Sequence, residues 1–234
     1  MAAIDPDAVF WDIGGVIVNL ESIQSGHRSF VESLLEEYQS PHPPAEALET
    51  WRSALGEYFR GGEGTEYRTA RDGYRVAIDE ILSGSAEEAD WEPLFRRIHD
   101  DHAEPNDGAV ETIRRLSEGD FHLGVISDVD DEEGERLLET FGVRQQFDSY
   151  TSSEAVGYKK PDRRMFETAL EKAGVEGEQA VMIGDRYAND IEGADALGMT
   201  TISYGAEDGP AVDYHVDNLG EILDLVGLRE EAER

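Results

Sequence analysis

The chain has 234 residues, 39% of them hydrophobic, no cysteine, and 53 acidic against 20 basic side chains, a formal net charge of −33. That length and apolar content suffice for one large domain or a core with a smaller insertion, while the acidity argues against nucleic acid and anionic membranes as partners. The missing cysteines exclude disulfides and thiolate metal sites, no stretch reaches the ~20 apolar residues of a membrane helix, and the start of the chain, with Asp5 and Asp7 and no basic segment, does not read as a secretory signal, so a cytoplasmic location is expected.

The first apolar run, AVFWDIGGVIV over residues 8–18, predicts a buried strand and a tight turn. From about residue 21 to 103 the pattern turns helical, with no convincing strand. SFVESLLEEY, AEALETWRSALGEYF, EYRTARDGYRVAIDEIL and WEPLFRRI each space apolar residues three or four apart. They predict four antiparallel helices, separated by SPHPP (40–44), GGEGT (61–65) and SGSAEEAD (83–90). GGEGT is only superficially like a phosphate-cradling loop, because it lacks the lysine and the preceding strand; it reads as a hinge or turn.

From residue 107 the character changes again. Asp107 is placed to cap a helix over GAVETIRRLSE that Gly119 would close. There follow the strand HLGVIS, a helix over Glu133–Phe141, the strand FDSYTSS, the helix DRRMFETALEKAG, the strand QAVMIG, the helix NDIEGADALG and the strand TTISY. Strands alternating with helices of about ten residues mean βαβ units and a parallel sheet. The fold class expected is therefore α/β, a doubly wound parallel sheet of residues 1–20 and 104–234, with an all-helical insertion over 21–103.

Such sheets bind ligands at the carboxyl ends of their strands, and there this sequence places its chemistry. One strand ends in Asp12, another in Ser127-Asp128, a third in Gly184-Asp185 with Asp190 five residues on, and Lys160 lies in GYKKPD. A carboxylate can act as a covalent nucleophile, the role suggested for Asp12. Magnesium takes oxygen ligands and sits between carboxylates and phosphate, which suits Asp12 and Asp185, with Asp190 a supporting acid. Lys160, Ser127 and Asp128 are candidates for binding the phosphate. Lysine occurs only three times, at Lys159, Lys160 and Lys172, so an adjacent pair before Pro161-Asp162 needs a reason. His99 and His102 in HDDH share one helix face, but no third ligand is evident and metal binding there is discounted.

These four fragments, DIGGV, VISD, KKPD and GDRYAND, resemble in order the motifs of the haloacid dehalogenase-like hydrolase superfamily, across nearly the whole chain. The resemblance implies a doubly wound core, an α-helical cap inserted after the first motif, and a magnesium-dependent phosphatase working through an aspartyl-phosphate. It also implies the backbone carbonyl of Gly14 as a third metal ligand. Two departures stand out. The family usually has asparagine where this chain has Asp128, and its phosphatases usually carry a second aspartate, the general acid and base, where this chain has Gly14. Members described as sugar-phosphate phosphatases share the Asp-x-Gly pattern.

The favoured expectation is a phosphomonoesterase for a small phosphorylated metabolite, with Mg²⁺ as cofactor. A 2-haloacid dehalogenase is the second reading, and a non-catalytic phosphometabolite-binding protein the third, supported by Gly14. Arg60, Arg68, Arg71 and Tyr74 are candidate selectors of substrate in the cap, and monomer and homodimer are both open. Acids are spread along the whole chain, a composition that resembles proteins of cytoplasms rich in potassium chloride; at ~1 M salt the Debye length falls to ~3 Å and the self-repulsion is relieved.

Overall fold

The computed structural model describes residues 4–84, 91–205 and 208–228. The chain divides into two compact units, one of Met1–Asn19 with Pro105–Arg234 and one of Leu20–Glu104.

The helical unit contains α1 (Leu20–Glu37), α2 (Pro44–Arg60), α3 (Ala70–Ile81) and α4 (Glu92–His102), following the strand β1 (Ala8–Trp11) of the other unit. Proline near the start of α2 and of α4 fits the first helical turn, where its absent N–H goes unmissed. Thr69 caps α3, its hydroxyl accepting from the Asp72 amide at 3.3 Å. The apolar faces meet in one core of Phe30, Leu34, Trp51, Ile78, Trp91 and Phe95 among others. Trp51 stacks on Tyr74 with centroids 5.4 Å apart, and Phe30 meets Phe95 edge-on at 5.0 Å. The expected break over 83–90 falls largely on residues 85–90, outside the described residues.

His27 lies inside this aromatic cluster, 4.8 Å from His99 and 5.4 Å from Trp51 by ring centroids. Burial pulls its imidazole down to about 4. Because the folded value lies below the ordinary one, the contribution of neutral His27 to stability is intact above about pH 6.5 and is lost as the pH falls towards 4. The loss amounts to about 2–3 kcal/mol. His27→Phe should therefore flatten the dependence of the melting temperature on pH between 7 and 4.5; parallel curves for the two proteins would refute this.

The other unit continues with α5 (Ala109–Leu116), β2 (His122–Ser127), α6 (Asp131–Thr140), β3 (Ser149–Ser152), α7 (Ser153–Val156), α8 (Arg163–Ala173), β4 (Ala180–Gly184), α9 (Glu192–Asp195), β5 (Thr200–Tyr204), β6 (Tyr214–Val216) and α10 (Glu221–Leu225). All six strands are parallel, in the order β3-β2-β1-β4-β5-β6, flanked by helices. Strands covered on both faces read as continuous apolar runs, and every residue of β1 and β4 is buried. Beneath one face lie Phe10, Ile126, Met165, Phe166, Met182 and Ala194. The order reverses at β1, which has β2 on one side and β4 on the other, so the switch point of the sheet is at the end of β1.

Three local expectations differ from what forms. The cap of α5 is Gly108 in the left-handed region, φ 80°, rather than Asp107. The helix expected over NDIEGADALG is a wide π-type turn at Tyr187–Ile191 followed by the short α9, because the Asp190 side chain is drawn back onto the backbone before it. β6 and α10 had no counterpart in the sequence reading; three residues of strand are too few to show a period. Among the described residues no helix is long and apolar enough to cross a membrane.

Where the chain leaves and re-enters this unit, Val18 and Pro105 form an antiparallel bridge. Asn106 follows directly, and its amide donates to the carbonyls of Gly15 and Val16 at 2.8 and 3.0 Å.

Candidate active site

Asp12 is the first residue past β1, its amide donating to the carbonyl of Ile183 on β4 at 3.0 Å. The chain then turns sharply. Gly15 takes φ 84°, and an added Cβ there would collide with the carboxylate of Asp185, so only glycine lets this loop pass against the end of β4. Gly14 is under no such constraint; a Cβ on it would meet no atom within 4 Å. The Ile13 amide donates to Asp12 Oδ1 at 2.8 Å and lies 3.4 Å from the Ser127 hydroxyl at the end of β2, tying the two strand ends together.

Lys160 is 1% exposed, and three acceptors surround its Nζ. They are Asp12 Oδ1 at 2.9 Å, Asp190 Oδ1 at 2.6 Å and the carbonyl of Ile126 at 3.0 Å. The ammonium donates to the carbonyl and is ion-paired with both carboxylates. Asp128 holds this lysine from behind, its Oδ1 accepting from the Lys160 amide and from the Ser153 hydroxyl, each at 2.8 Å. The Lys160–Pro161 peptide is cis, and Asn189 donates to the Lys160 carbonyl at 3.2 Å. Asp190 Oδ2 accepts from the amides of Arg186 and Asp185 at 2.9 and 3.2 Å, which fixes the turn after β4.

One ammonium thus balances two buried carboxylates. Burial pushes Asp12 up to about 7, with Lys160 opposing and Asp190 and Asp128 adding to the rise. Burial alone would lower Lys160, but Asp12, Asp190 and Asp128 outweigh it and hold the ammonium above the usual lysine range. Asp185 is pushed up to about 6, first by burial and then by Asp190. Arg186 is raised as well, since Asp12, Asp190, Asp128 and Asp185 more than offset its partial burial.

Asp12, Asp185 and Asp190 each turn an oxygen into one small volume, the three within 4.8 Å of one another. Among the described residues nothing donates to the buried Oδ1 of Asp185. A hard divalent cation fits such an all-oxygen, electron-rich, under-donated group.

The model of the family described as haloacid dehalogenase-like hydrolase matches residues 6–198, which takes in every residue of this site. The chain belongs to that family.

Within the haloacid dehalogenase-like hydrolases it is 38% identical over 112 residues to haloacid dehalogenase-like hydrolase domain-containing protein 3 of Bos taurus, covering 46% of this chain and 44% of the relative. It is 34% identical over 117 residues to a glyceraldehyde 3-phosphate phosphatase of Methanothermobacter thermautotrophicus, covering 50% and 51%. The chain thus spans about half the length of these curated relatives. A crystal structure of a phosphatase of this family from Thermococcus onnurineus shares the fold, with a TM-score of 0.73, 22% identity and coverage of 94% and 98%.

The sequence-predicted residues Asp12, Gly14, Ser127, Asp128, Lys160, Asp185 and Asp190 all come together at the carboxyl ends of β1, β2 and β4 or in the loops beside them. The cap candidates fare differently. Tyr74 belongs to the core of the helical unit, and Arg68 lies over the Tyr58 ring at 3.7 Å with a hydrogen bond to the Tyr58 carbonyl, whereas Arg60 and Arg71 are exposed. His99 stacks on Phe95 at 3.9 Å and His102 bonds Ser29 at 2.9 Å, so both serve the helical unit's packing. Gly15, Asn106, Ser153 and Arg186 escaped the sequence reading; the Gly-Gly doublet after Asp12 was the only signal for any of them.

Proposed function

We propose that this chain is a magnesium-dependent phosphomonoesterase acting on a small phosphorylated metabolite, a sugar phosphate in the first instance, through an aspartyl-phosphate on Asp12. The observation that carries the reading is the state of that carboxylate. Its Oδ1 is held by Lys160 and the Ile13 amide, while among the described residues nothing donates to its Oδ2. A nucleophile needs one oxygen fixed and one open. The helical unit serves as the cap that selects substrate, and residues 1–20 with 104–234 as the catalytic core.

Asp12 and Asp185, with the Gly14 carbonyl, would hold Mg²⁺, and Asp190 would support them. Bound there, the ion would supply positive charge beside the nucleophile to offset that of a phosphoryl group. Asp12 Oδ2 attacks phosphorus in line with the ester oxygen, and the displaced alcohol departs. Ser127 and Lys160 supply donors to the equatorial oxygens, Lys160 by exchanging one of its three acceptors for a phosphoryl oxygen. Asp128 contributes to the phosphate cradle by fixing the loop that carries Lys160. The glyceraldehyde 3-phosphate phosphatase likeness supports this substrate class, and the acidic composition supports work in a cytoplasm of molar potassium chloride.

The test is phosphate release from a panel of phosphomonoesters in molar potassium chloride, with Mg²⁺ and again with a chelator. Release that requires Mg²⁺ and selects one group of esters supports the reading. Metal-independent release of halide from 2-haloacids would replace it with the dehalogenase, and tight binding of an ester without hydrolysis, which Gly14 favours, with the binding protein.

The acid cluster also predicts how the metal acts on stability. Asp12 and Asp185 are raised to about 7 and about 6, so their protonated forms stabilise the fold fully below the ordinary carboxylate range and that contribution is lost as pH climbs through 6 to 7. A divalent cation takes over from the protons. Mg²⁺ at ~100 times its Kd should add about 2.7 kcal/mol at pH 8 and little at pH 5, read as the rise in melting temperature over chelator. An equal rise at both pH values would remove these carboxylates from the metal site.

A further inference from the structure

Three of the groups assigned above to the cation, Asp12, the Gly14 carbonyl and Asp185, come from two loops, and one side chain outside both locks them together. Resting on that magnesium reading, we propose that Asn106 is a positioning residue for the metal. By clamping the loop from Ile13 to Val18 it fixes the spacing of these groups, and so makes the site prefer Mg²⁺ to the larger Ca²⁺.

The hydrogen bonds of the loop single out Asn106. The Ile13 carbonyl accepts from the amides of Ile17 and Val18, each at 2.9 Å, and the Val18 carbonyl accepts from the Gly15 amide at 3.0 Å. The Ile17 carbonyl accepts from the Asn106 amide at 2.9 Å. There remain the carbonyls of Gly14, Gly15 and Val16. A side-chain amide has two protons, and Asn106 Nδ2 lies 2.8 and 3.0 Å from the oxygens of Gly15 and Val16, with that of Val18 farther off at 3.4 Å. Among the described residues nothing donates to the Gly14 carbonyl. Asn106 thus occupies its two neighbours and leaves free the one acceptor assigned to the ion.

The clamp reaches the second loop as well. Gly15, whose carbonyl Asn106 holds, is packed so closely on the Asp185 carboxylate that a Cβ there would collide with it. A shift of Gly15 would therefore change the distance from Asp12 and Gly14 to Asp185. Asn106 is itself anchored on both sides, its amide on Ile17 and its carbonyl accepting from the Ala109 amide at 3.1 Å. Helix α5 takes Gly108 as its cap, so the side chain of Asn106 is not spent on that helix. Mg²⁺ demands near-octahedral oxygens at about 2.0–2.1 Å, whereas Ca²⁺ accepts irregular shells at about 2.3–2.6 Å. Ligands held at fixed spacing across two loops penalise the larger ion, and a slack loop does not.

Asn106→Asp and Asn106→Ala test this in the full chain. Both remove the side-chain donor and keep the backbone bond to Ile17; the first also keeps the size of the side chain, and the second puts no charge against the carbonyls. The affinities for Mg²⁺ and for Ca²⁺ are read separately by titration calorimetry at pH 8 in molar potassium chloride, with the melting temperature in chelator measured alongside. In both variants the affinity for Mg²⁺ should fall about 10–100-fold and that for Ca²⁺ much less, so that the preference for Mg²⁺ shrinks. A lowered melting temperature with the ratio of the two affinities unchanged would overturn the proposal and reduce Asn106 to a structural tie. A parent that binds Ca²⁺ as tightly as Mg²⁺ would overturn it too. A parent that binds neither ion would instead overturn the magnesium reading itself, and this assignment with it.

Discussion

Asp12→Asn should abolish turnover and at the same time raise the melting temperature measured in chelator. The first effect follows from the nucleophile: an amide does not form the phosphoryl ester, and removing an essential nucleophile costs on the order of 10⁴–10⁶-fold in kcat. The second follows from the charge balance around Lys160, which serves Asp12 and Asp190 at 2.9 and 2.6 Å with a single positive charge. Neutralising Asp12 leaves one cation for one anion and relieves a carboxyl that burial has pushed up to about 7. Loss of activity with gain of stability is the signature of a strained functional group. A variant equally stable as its parent in chelator would show that the excess charge is already dissipated, and measurable turnover would move the nucleophile elsewhere.

Lys160→Met should strongly destabilise this unit. Methionine fills the space but removes the one cation that Asp12 and Asp190 share, and the donor to the Ile126 carbonyl, in a site where all are buried. Removing one partner of a buried ion pair costs about 3–5 kcal/mol, or roughly 10 °C for a chain of this size. Acid should rescue part of it, since protonating the carboxylates removes the charge that Lys160 compensated; the deficit in melting temperature is expected to shrink from pH 8 to pH 5. An unchanged deficit would mean that the loss is one of packing rather than charge. Lys160→Met/Asp190→Asn should recover stability at pH 8 for the same reason, without recovering activity.

The strands that bear the candidate site were legible because a parallel sheet covered on both faces needs uninterrupted apolar runs, and AVFW, HLGVIS and AVMIG each stop at a polar residue where the sheet ends. Lys160 was legible by scarcity in a chain with three lysines. What stayed hidden depends on atoms that meet only after folding. Nothing in a Gly-Gly doublet tells which glycine is squeezed against Asp185 and which faces open space. Nothing in PND announces that Asn106 will reach back to Gly15 and Val16. Amphipathic spacing reported that Tyr74 lies on a helix but gave no sign that it stacks on Trp51, so an aromatic belonging to the core was read as a candidate for substrate.

The bridge between Val18 and Pro105 bears on how such a protein changes over evolutionary time. The insertion departs and returns at neighbouring points, and the loop that carries Asp12 is tied down by Asn106, the residue just past the return. The chain therefore leaves and re-enters the sheet unit at a single place. Because the ends already sit side by side, the entropic cost of closing the connecting segment grows only slowly with its length, so helices can be lengthened, exchanged or rewritten there while the residues gathered around Lys160 are inherited intact.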